Sequence, residues 1–425
     1  MMRIRLLTLM FVSVVISLSA QSFVQISNGS GYADQAYFRL SDDAVTPVAN
    51  ESWGLAFSTI GLSDAGISVN ESTTSVFGQS VPELELYLTE ATDFSATIDT
   101  ATLGPRLFND ESSWENGALN GAAAPGDPFD LGWGAYNPVN HSLTGSRIFA
   151  IRLRDGSFRK FMIESMAGGV YTLRYANLDG SDEQTVQIAK DDFPDAPLAL
   201  FSFETGKTLS STGAWDLFFG RYYTKLEDDE GNLLDYPVTG VLSAPGVEVA
   251  EAVNVDPTSV EYEAYVDSFN TRLDIIGYDW KSFDFAGGWI IANDVAYFVK
   301  TPDGRIWKLH FIDFEGSSTG VSTFEKTDLG LLSSVASPHS NFAEASLFPN
   351  PVVNEATVAF TLKRAQNELP LQIQNLNGQM LWSATIDAAT GFNVTTLPAL
   401  NLPAGMYVVT LGQGKDAVHL KMVRK

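Results

Sequence analysis

Ser52-Trp53-Gly54-Leu55-Ala56-Phe57 and Ala214-Trp215-Asp216-Leu217-Phe218-Phe219 write the same Trp-x-Leu-x-Phe pattern twice in one chain. A period of two places Trp, Leu and Phe on one face of an extended segment, so each stretch reads as a half-buried β-strand. The repetition extends in both directions. Ala36-Tyr37-Phe38-Arg39-Leu40-Ser41 precedes the first copy as Ala199-Leu200-Phe201-Ser202-Phe203-Glu204 precedes the second. Asp64-Ala65-Gly66-Ile67-Ser68-Val69 parallels Ala244-Pro245-Gly246-Val247-Glu248-Val249. Phe149-Ala150-Ile151-Arg152 with Asp155-Gly156 parallels Tyr297-Phe298-Val299-Lys300 with Asp303-Gly304. Asp-Gly between alternating runs is a hairpin signal. The sequence therefore predicts an all-β protein with two related antiparallel β domains, 21–193 and 194–331. A Ser-rich linker, 332–345, and a small β-sandwich domain, 346–425, follow. Short helical turns are expected at 110–117 and 257–273, the second started by Asp256-Pro257.

The last eighty residues have their own pattern. Leu347-Phe348-Pro349-Asn350-Pro351 opens them, Asn375-Leu376-Asn377-Gly378-Gln379-Met380-Leu381 sits in the middle, and Leu402-Pro403-Ala404-Gly405-Met406-Tyr407-Val408-Val409 follows. Lys421-Met422-Val423-Arg424-Lys425 makes a basic end. Turns are expected at Asn377-Gly378 and Pro403-Ala404-Gly405. In this order the motifs resemble the type A C-terminal sorting domain of type IX secretion cargo from the Bacteroidota. The resemblance implies a partner, the type IX secretion machinery, acting on residues 346–425. It also implies a secreted or outer-membrane surface location, reached through the periplasm. Residues 1–20 agree: Arg3 and Arg5 precede an apolar run from Leu6 to Leu18 and small residues before Gln21, the pattern of a signal peptide. That run is too short to span a bilayer, and no other stretch is long enough, so no transmembrane segment is expected in the mature protein.

Charge narrows the partners. The chain has 26 basic and 51 acidic residues. Two basic residues lie in the first twenty positions, and six basic and four acidic lie from Ser346 onward. The body, 21–345, is left with 18 basic and 47 acidic residues, a net charge of −29. Such a surface repels nucleic acid, so no nucleic-acid partner is expected. There is no cysteine, so thiol chemistry and disulfides are excluded and buried apolar area must hold the fold.

The second copy resembles the HmuY family of haem-binding surface proteins of the Bacteroidota. Phe201-Ser202-Phe203-Glu204-Thr205-Gly206, Trp215-Asp216-Leu217-Phe218-Phe219 with Arg221, and Tyr236-Pro237-Val238-Thr239-Gly240-Val241-Leu242 carry the likeness, with Asp303-Gly304 and Trp307-Lys308-Leu309. It covers most of 198–330 and is weaker over the first copy. Members that capture haem hold the iron between two His or Met side chains. The second copy has one histidine, His310, on the strand face it shares with Lys308, and no methionine. His141 and Met162 of the first copy are the haem-ligand candidates, while Met in a Phe-rich strand also reads as core filler. The acidic body opposes an anionic haem, whose propionates want basic partners.

Enzyme chemistry has little to work with. The body holds only His141, His310 and His339, and no Gly-x-Ser-x-Gly elbow, phosphate loop or zinc signature. Carboxylate pairs such as Asp191-Asp192 and Asp228-Asp229 leave glycan chemistry open, although paired acids need a set separation across a cleft. The run 227–232 reads as a charged hairpin tip rather than a calcium loop. Trp133, Tyr136, Trp280 and Trp307 lie near loops or strand ends and are candidates for stacking on sugars. The expectation is a non-enzymatic surface binding protein with no cofactor, no metal and an unidentified ligand. Haem capture and glycan binding or glycan chemistry are the alternatives.

Overall fold

The computed structural model describes residues 21–61, 64–73, 75–76, 79–80, 83–140, 142–228, 230–331, 341–348, 352, 355–375, 379–398, 402–413 and 417–424. It is built almost entirely of antiparallel strands, as expected. The chain divides into two units. One is drawn from Met1–Val260, Ser268–Pro302 and Trp307–Leu329, the other from Glu261–Asp267, Asp303–Ile306 and Gly330–Lys425.

In the larger unit the Trp-x-Leu-x-Phe strands lie in two four-stranded sheets, and each sheet takes two strands from each copy. One runs Lys207–Thr208, Leu198–Ser202, Leu55–Ser58, Ile67–Val69; the other runs Leu233–Ser243, Leu217–Glu227, Asp34–Arg39, Ala44–Ala49. The first copy's Ala36-Tyr37-Phe38 strand thus pairs with the second copy's Trp-bearing strand, in the register Phe38↔Leu217 and Ala36↔Phe219. The reciprocal pairing is Leu55↔Phe201 and Phe57↔Ala199. The same exchange recurs further out. Gln21–Ser27 closes a five-stranded sheet against Val321–Leu331, and Gln184–Ala189 closes its counterpart against Val170–Asn177. The division at 193/194 expected from the motifs is therefore not a division between sheets. The structural repeat starts again at Gln184, and the copies are interleaved. One repeat anchor is not structurally equivalent: Ile67–Val69 pairs with Leu55–Ser58, whereas Glu248–Val253 pairs with Val295–Lys300.

The expected single face holds in the second copy, where Trp215, Leu217 and Phe219 share one core, but not in the first, where Trp53 lies in that core and Leu55 and Phe57 in the other. Phe38 of the first copy packs on Phe219 of the second, whereas Phe57 packs on Tyr171 of its own copy. One core gathers Phe38, Trp215, Phe219, Trp307, Phe311 and Phe324; the other gathers Phe57, Trp133, Phe149, Phe161, Tyr171 and Phe201. Edge-on pairs such as Tyr37–Trp215 at 5.1 Å and Tyr175–Phe203 at 5.6 Å add to area burial. Buried lysines take over part of the tying role that disulfides fill elsewhere. Lys160 Nζ donates to Ala96 O (2.7 Å), Lys281 Nζ to Thr239 O (2.6 Å) and Lys326 Nζ to Leu40 O (2.8 Å). Hydrogen bonds from charged groups of this kind are worth ~1.5–3 kcal/mol each.

The helical turns expected at 110–117 and 257–273 are present as short 3-10 segments, Trp114–Asn116 and Tyr262–Ser268. Leu217–Glu227 and Leu233–Ser243 form a long hairpin whose tip is the acidic run at 228–232. There the Asp228 carboxylate accepts from the N–H groups of Glu230 and Asn232.

The C-terminal unit packs a three-stranded sheet (Phe342–Phe348, Ala356–Leu362, Gly391–Leu397) and a four-stranded sheet (Met380–Ala388, Gln366–Asn375, Gly405–Leu411, Val418–Arg424) around one core. Its first strand begins before the expected boundary at Ser346, because Phe342 is buried against Phe360. The Pro-x-Gly-x-Tyr motif acquires a physical role: Tyr407 Oη donates to Pro403 O at 2.7 Å, pinning the turn onto the strand that follows. Arg424 of the basic last strand donates from Nε to Leu402 O (2.8 Å). The expected Pro349-Asn350-Pro351 opening and Asn377-Gly378 turn lie outside the described residues, as does the expected signal peptide.

Candidate functional site

A cleft of about 1200 Å³ in the body is walled by segments from both copies. Each wall has a local cause. On one side, the loop after Leu55–Ser58 is fixed by Lys190, which is buried and donates from Nζ to Ile60 O (3.3 Å), Gly61 O (3.0 Å) and Asp64 O. Burial lowers the Lys190 pKa, with Asp64 opposing that effect. Tyr171 Oη shares its single proton between Ser58 O (3.0 Å) and Asp64 O (3.2 Å), and the Asp64 carboxylate accepts from Gly66 N and Ser58 Oγ. The lip Phe193–Pro197 is joined to this wall through Thr59 N, which donates to Pro197 O at 3.0 Å.

Trp114 stands in the facing wall. Its 3-10 turn is capped by Ser113, whose Oγ accepts from Glu115 N at 3.2 Å, and its indole N–H donates to Ser243 O at 2.8 Å. Gly66 allows the turn to approach the neighbouring strand: a Cβ there would meet Trp114 O at 2.2 Å. Trp215 lies edge-on to Trp114, with ring centroids 6.0 Å apart. Trp215 also lines the cleft, and its buried indole nitrogen has no hydrogen-bond partner among the described residues. The exposed acids around the opening are Glu115, Asp191 and Asp195.

A second polar constellation lies at the contact of the two copies, beside cavities of about 50 and 480 Å³. Glu71 is buried, and its carboxyl is pushed up to about 7 by desolvation. Both its oxygens are occupied, one by Asn109 N (2.7 Å) and the other by Tyr223 N (3.2 Å). Glu83 pairs with Arg106 at 2.6 Å and accepts from Tyr223 Oη; burial opposes its ionisation, but these partners outweigh it and lower its pKa. Arg106 lies over the rings of Phe108 (4.6 Å) and Tyr223 (4.8 Å). A raised carboxyl is a general-acid signature. Here, though, it joins two chain segments through backbone donors, which is a structural duty.

The structure separates the residues singled out from sequence. His141 lies outside the described residues. Met162 is half-buried against a small cluster that includes Phe94, Ile148 and Ala176, and Met166 is core. His310 shares its half-buried face with Lys308, as alternation predicted, with Nδ1 3.0 Å from Val295 O. The sugar-stacking candidates Trp133, Trp280 and Trp307 are corrected: they are 0%, 2% and 5% exposed, because each ring is packed into one of the two aromatic cores. Trp133 Nε1 donates to Ala65 O, and Trp280 stacks on Phe311 at 4.1 Å. Tyr136 is half-buried and stacks on Phe129. Sequence reasoning missed Trp114, Asp64, Lys190 and Asp195 as one site. Nothing in the linear pattern joins segments 50 to 130 residues apart.

Residues 346–425 match the family described as the secretion system C-terminal sorting domain. The chain is accordingly exported to the cell surface or secreted, with the tail as the part that meets the type IX machinery. No curated protein matches the chain. Among solved structures, dimeric latent PorU from Porphyromonas gingivalis aligns at 11% identity over 67% of this chain, with a TM-score of 0.18. The chain spans 32% of that protein's length. The four N-terminal Ig domains of Dscam1 isoform 4.4 align at 10% identity over 95% of this chain and 100% of that one, with a TM-score of 0.11. Both scores lie below the level at which two chains share a fold. No helix among the described residues is long and apolar enough to cross a membrane.

Proposed function

We propose that this chain is an exported, non-catalytic binding protein whose body is HmuY-like and captures its ligand in the 1200 Å³ cleft. The observation that carries the reading is the sorting domain at 346–425, which assigns the tail to export and leaves recognition to the body. The cleft supports it: at roughly 1200 Å³ it exceeds the ~300–1,000 Å³ of typical small-ligand pockets, and its walls are held by buried donors before any ligand arrives. The HmuY-like assignment is supported by the motif strands themselves, which carry the core of the body. The non-catalytic assignment is supported by Glu71, whose raised carboxyl is already saturated by backbone N–H groups.

Deleting residues 346–425 tests the export half. The truncated chain should accumulate in the periplasm, and undiminished appearance outside the cell would refute it. Haemin titration of the intact chain tests the binding half against its nearest rival. No Soret shift is expected. A shift abolished by His141→Ala or Met162→Leu would replace the cleft reading with haem capture.

A further inference from the structure

Among the described residues the C-terminal unit has four sheet edges, and three of them are guarded against a further strand. Phe342–Phe348 and Val418–Arg424, the outer strands of the two sheets on one side, lie against each other. Arg424 is also bridged to Val352. Met380–Ala388 pairs with its neighbour through two register shifts and carries an exposed carboxylate, Asp387. Coverage, bulges, charges and prolines are the devices that keep an edge from pairing.

The fourth edge, Gly391–Leu397, has none of these. It pairs in unbroken register from Gly391↔Leu362 to Leu397↔Ala356. It reads Gly-Phe-Asn-Val-Thr-Thr-Leu, without a charge or a proline. Phe392 and Val394 are 72% and 56% exposed, and their register partners are Thr361 and Ala359. The strand is fixed before any partner arrives. Asn393 Oδ1 accepts from Ala389 N (2.9 Å), and Asn393 Nδ2 donates to Ala389 O (2.7 Å) and Gly391 O (2.8 Å). These bonds lock the chain where it enters the strand. An ordered edge with an apolar flank suits strand addition, in which backbone groups give affinity and alternate side chains give selectivity.

We propose that the open edge Gly391–Leu397 is where the type IX machinery grips the tail, by adding a strand whose apolar side chains cover Phe392 and Val394. The proposal rests on the assignment of residues 346–425 to export, which makes the machinery the partner this unit must meet. A second copy of the chain fits less well, since each copy brings a body of net charge −29.

The test follows the full-length chain in the secreting cell and compares the exported fraction with the fraction left in the periplasm. Phe392→Lys and Val394→Lys give the edge the charge it lacks, and each should cut export about 10-fold or more. Both side chains are exposed, so the purified variants should melt as the wild type does. Phe392→Tyr should export normally, as should Leu381→Lys on the guarded edge Met380–Ala388. Normal export of both Phe392→Lys and Val394→Lys, while deletion of 346–425 blocks it, would overturn the edge assignment and leave the export reading standing. The edge assignment would also fall if Leu381→Lys blocked export equally, or if both edge variants lost export together with melting temperature. A wild-type dimer abolished by Val394→Lys with export unchanged would assign the edge to a second copy instead. A deletion without effect on export would overturn both readings.

Discussion

Glu71 gives the sharpest physical test of the interleaved body. Its carboxyl is buried, accepts from Asn109 N at 2.7 Å and Tyr223 N at 3.2 Å, and is pushed by desolvation from 4.5 to about 7. In the unfolded chain the group ionises near 4.5. Between there and about 7 the folded state keeps a proton that the unfolded state has released. Stability contributed by this group is therefore complete below pH 4.5, falls as pH rises through 7, and is absent above it. At ~1.4 kcal/mol per pH unit, the displacement amounts to about 3 kcal/mol. Glu71→Gln preserves the shape and removes the titration. One of the two backbone donors then faces an amide N–H₂, a fixed cost of about 1–3 kcal/mol at every pH. The quantity to follow is therefore the difference between wild type and variant, not either alone. Urea unfolding of the body, monitored by tryptophan fluorescence from pH 4.5 to 8, should show that difference moving by about 3 kcal/mol in the variant's favour. Parallel pH profiles would show that Glu71 is solvated in solution, and the buried junction between the copies would then be wrong.

Two further outcomes follow from the same packing. Residues 21–193 and 194–331 produced separately should each lack near-ultraviolet circular dichroism, because Leu55–Ser58 and Asp34–Arg39 would lose their partners from the other half. Co-expression should restore it, and independent folding of either half would contradict the shared sheets. Gly66→Ala should cost about 1–3 kcal/mol by driving a methyl against Trp114 O, and should weaken whatever binds the cleft. Gly121→Ala, where the added Cβ meets nothing within 4 Å, is the neutral control in thermal melts.

The sequence alone determined the secondary structure of this protein, the duplication within its body, and the destination carried by its tail. Those properties are local: a period of two, an Asp-Gly turn, or a Pro-x-Gly-x-Tyr strand acts through neighbours a few residues away. Tyr407 shows this, since its hydroxyl reaches a carbonyl only four residues back. The face of His310 was legible for the same reason, because alternation fixes which side chains share a side.

Tertiary structure decided which copy covers which, and therefore where a ligand enters. Trp53 and Trp215 look alike in sequence, yet Trp53 Nε1 donates to Gln35 Oε1 at 3.0 Å while the buried Trp215 Nε1 has no partner among the described residues. Likewise Trp133, Trp280 and Trp307 sit near turns in the sequence but are buried, because the fold turns their rings into the two aromatic cores. Strand pairing between residues 140 or more positions apart sets these environments, and the energy that selects it comes from apolar faces closing on each other.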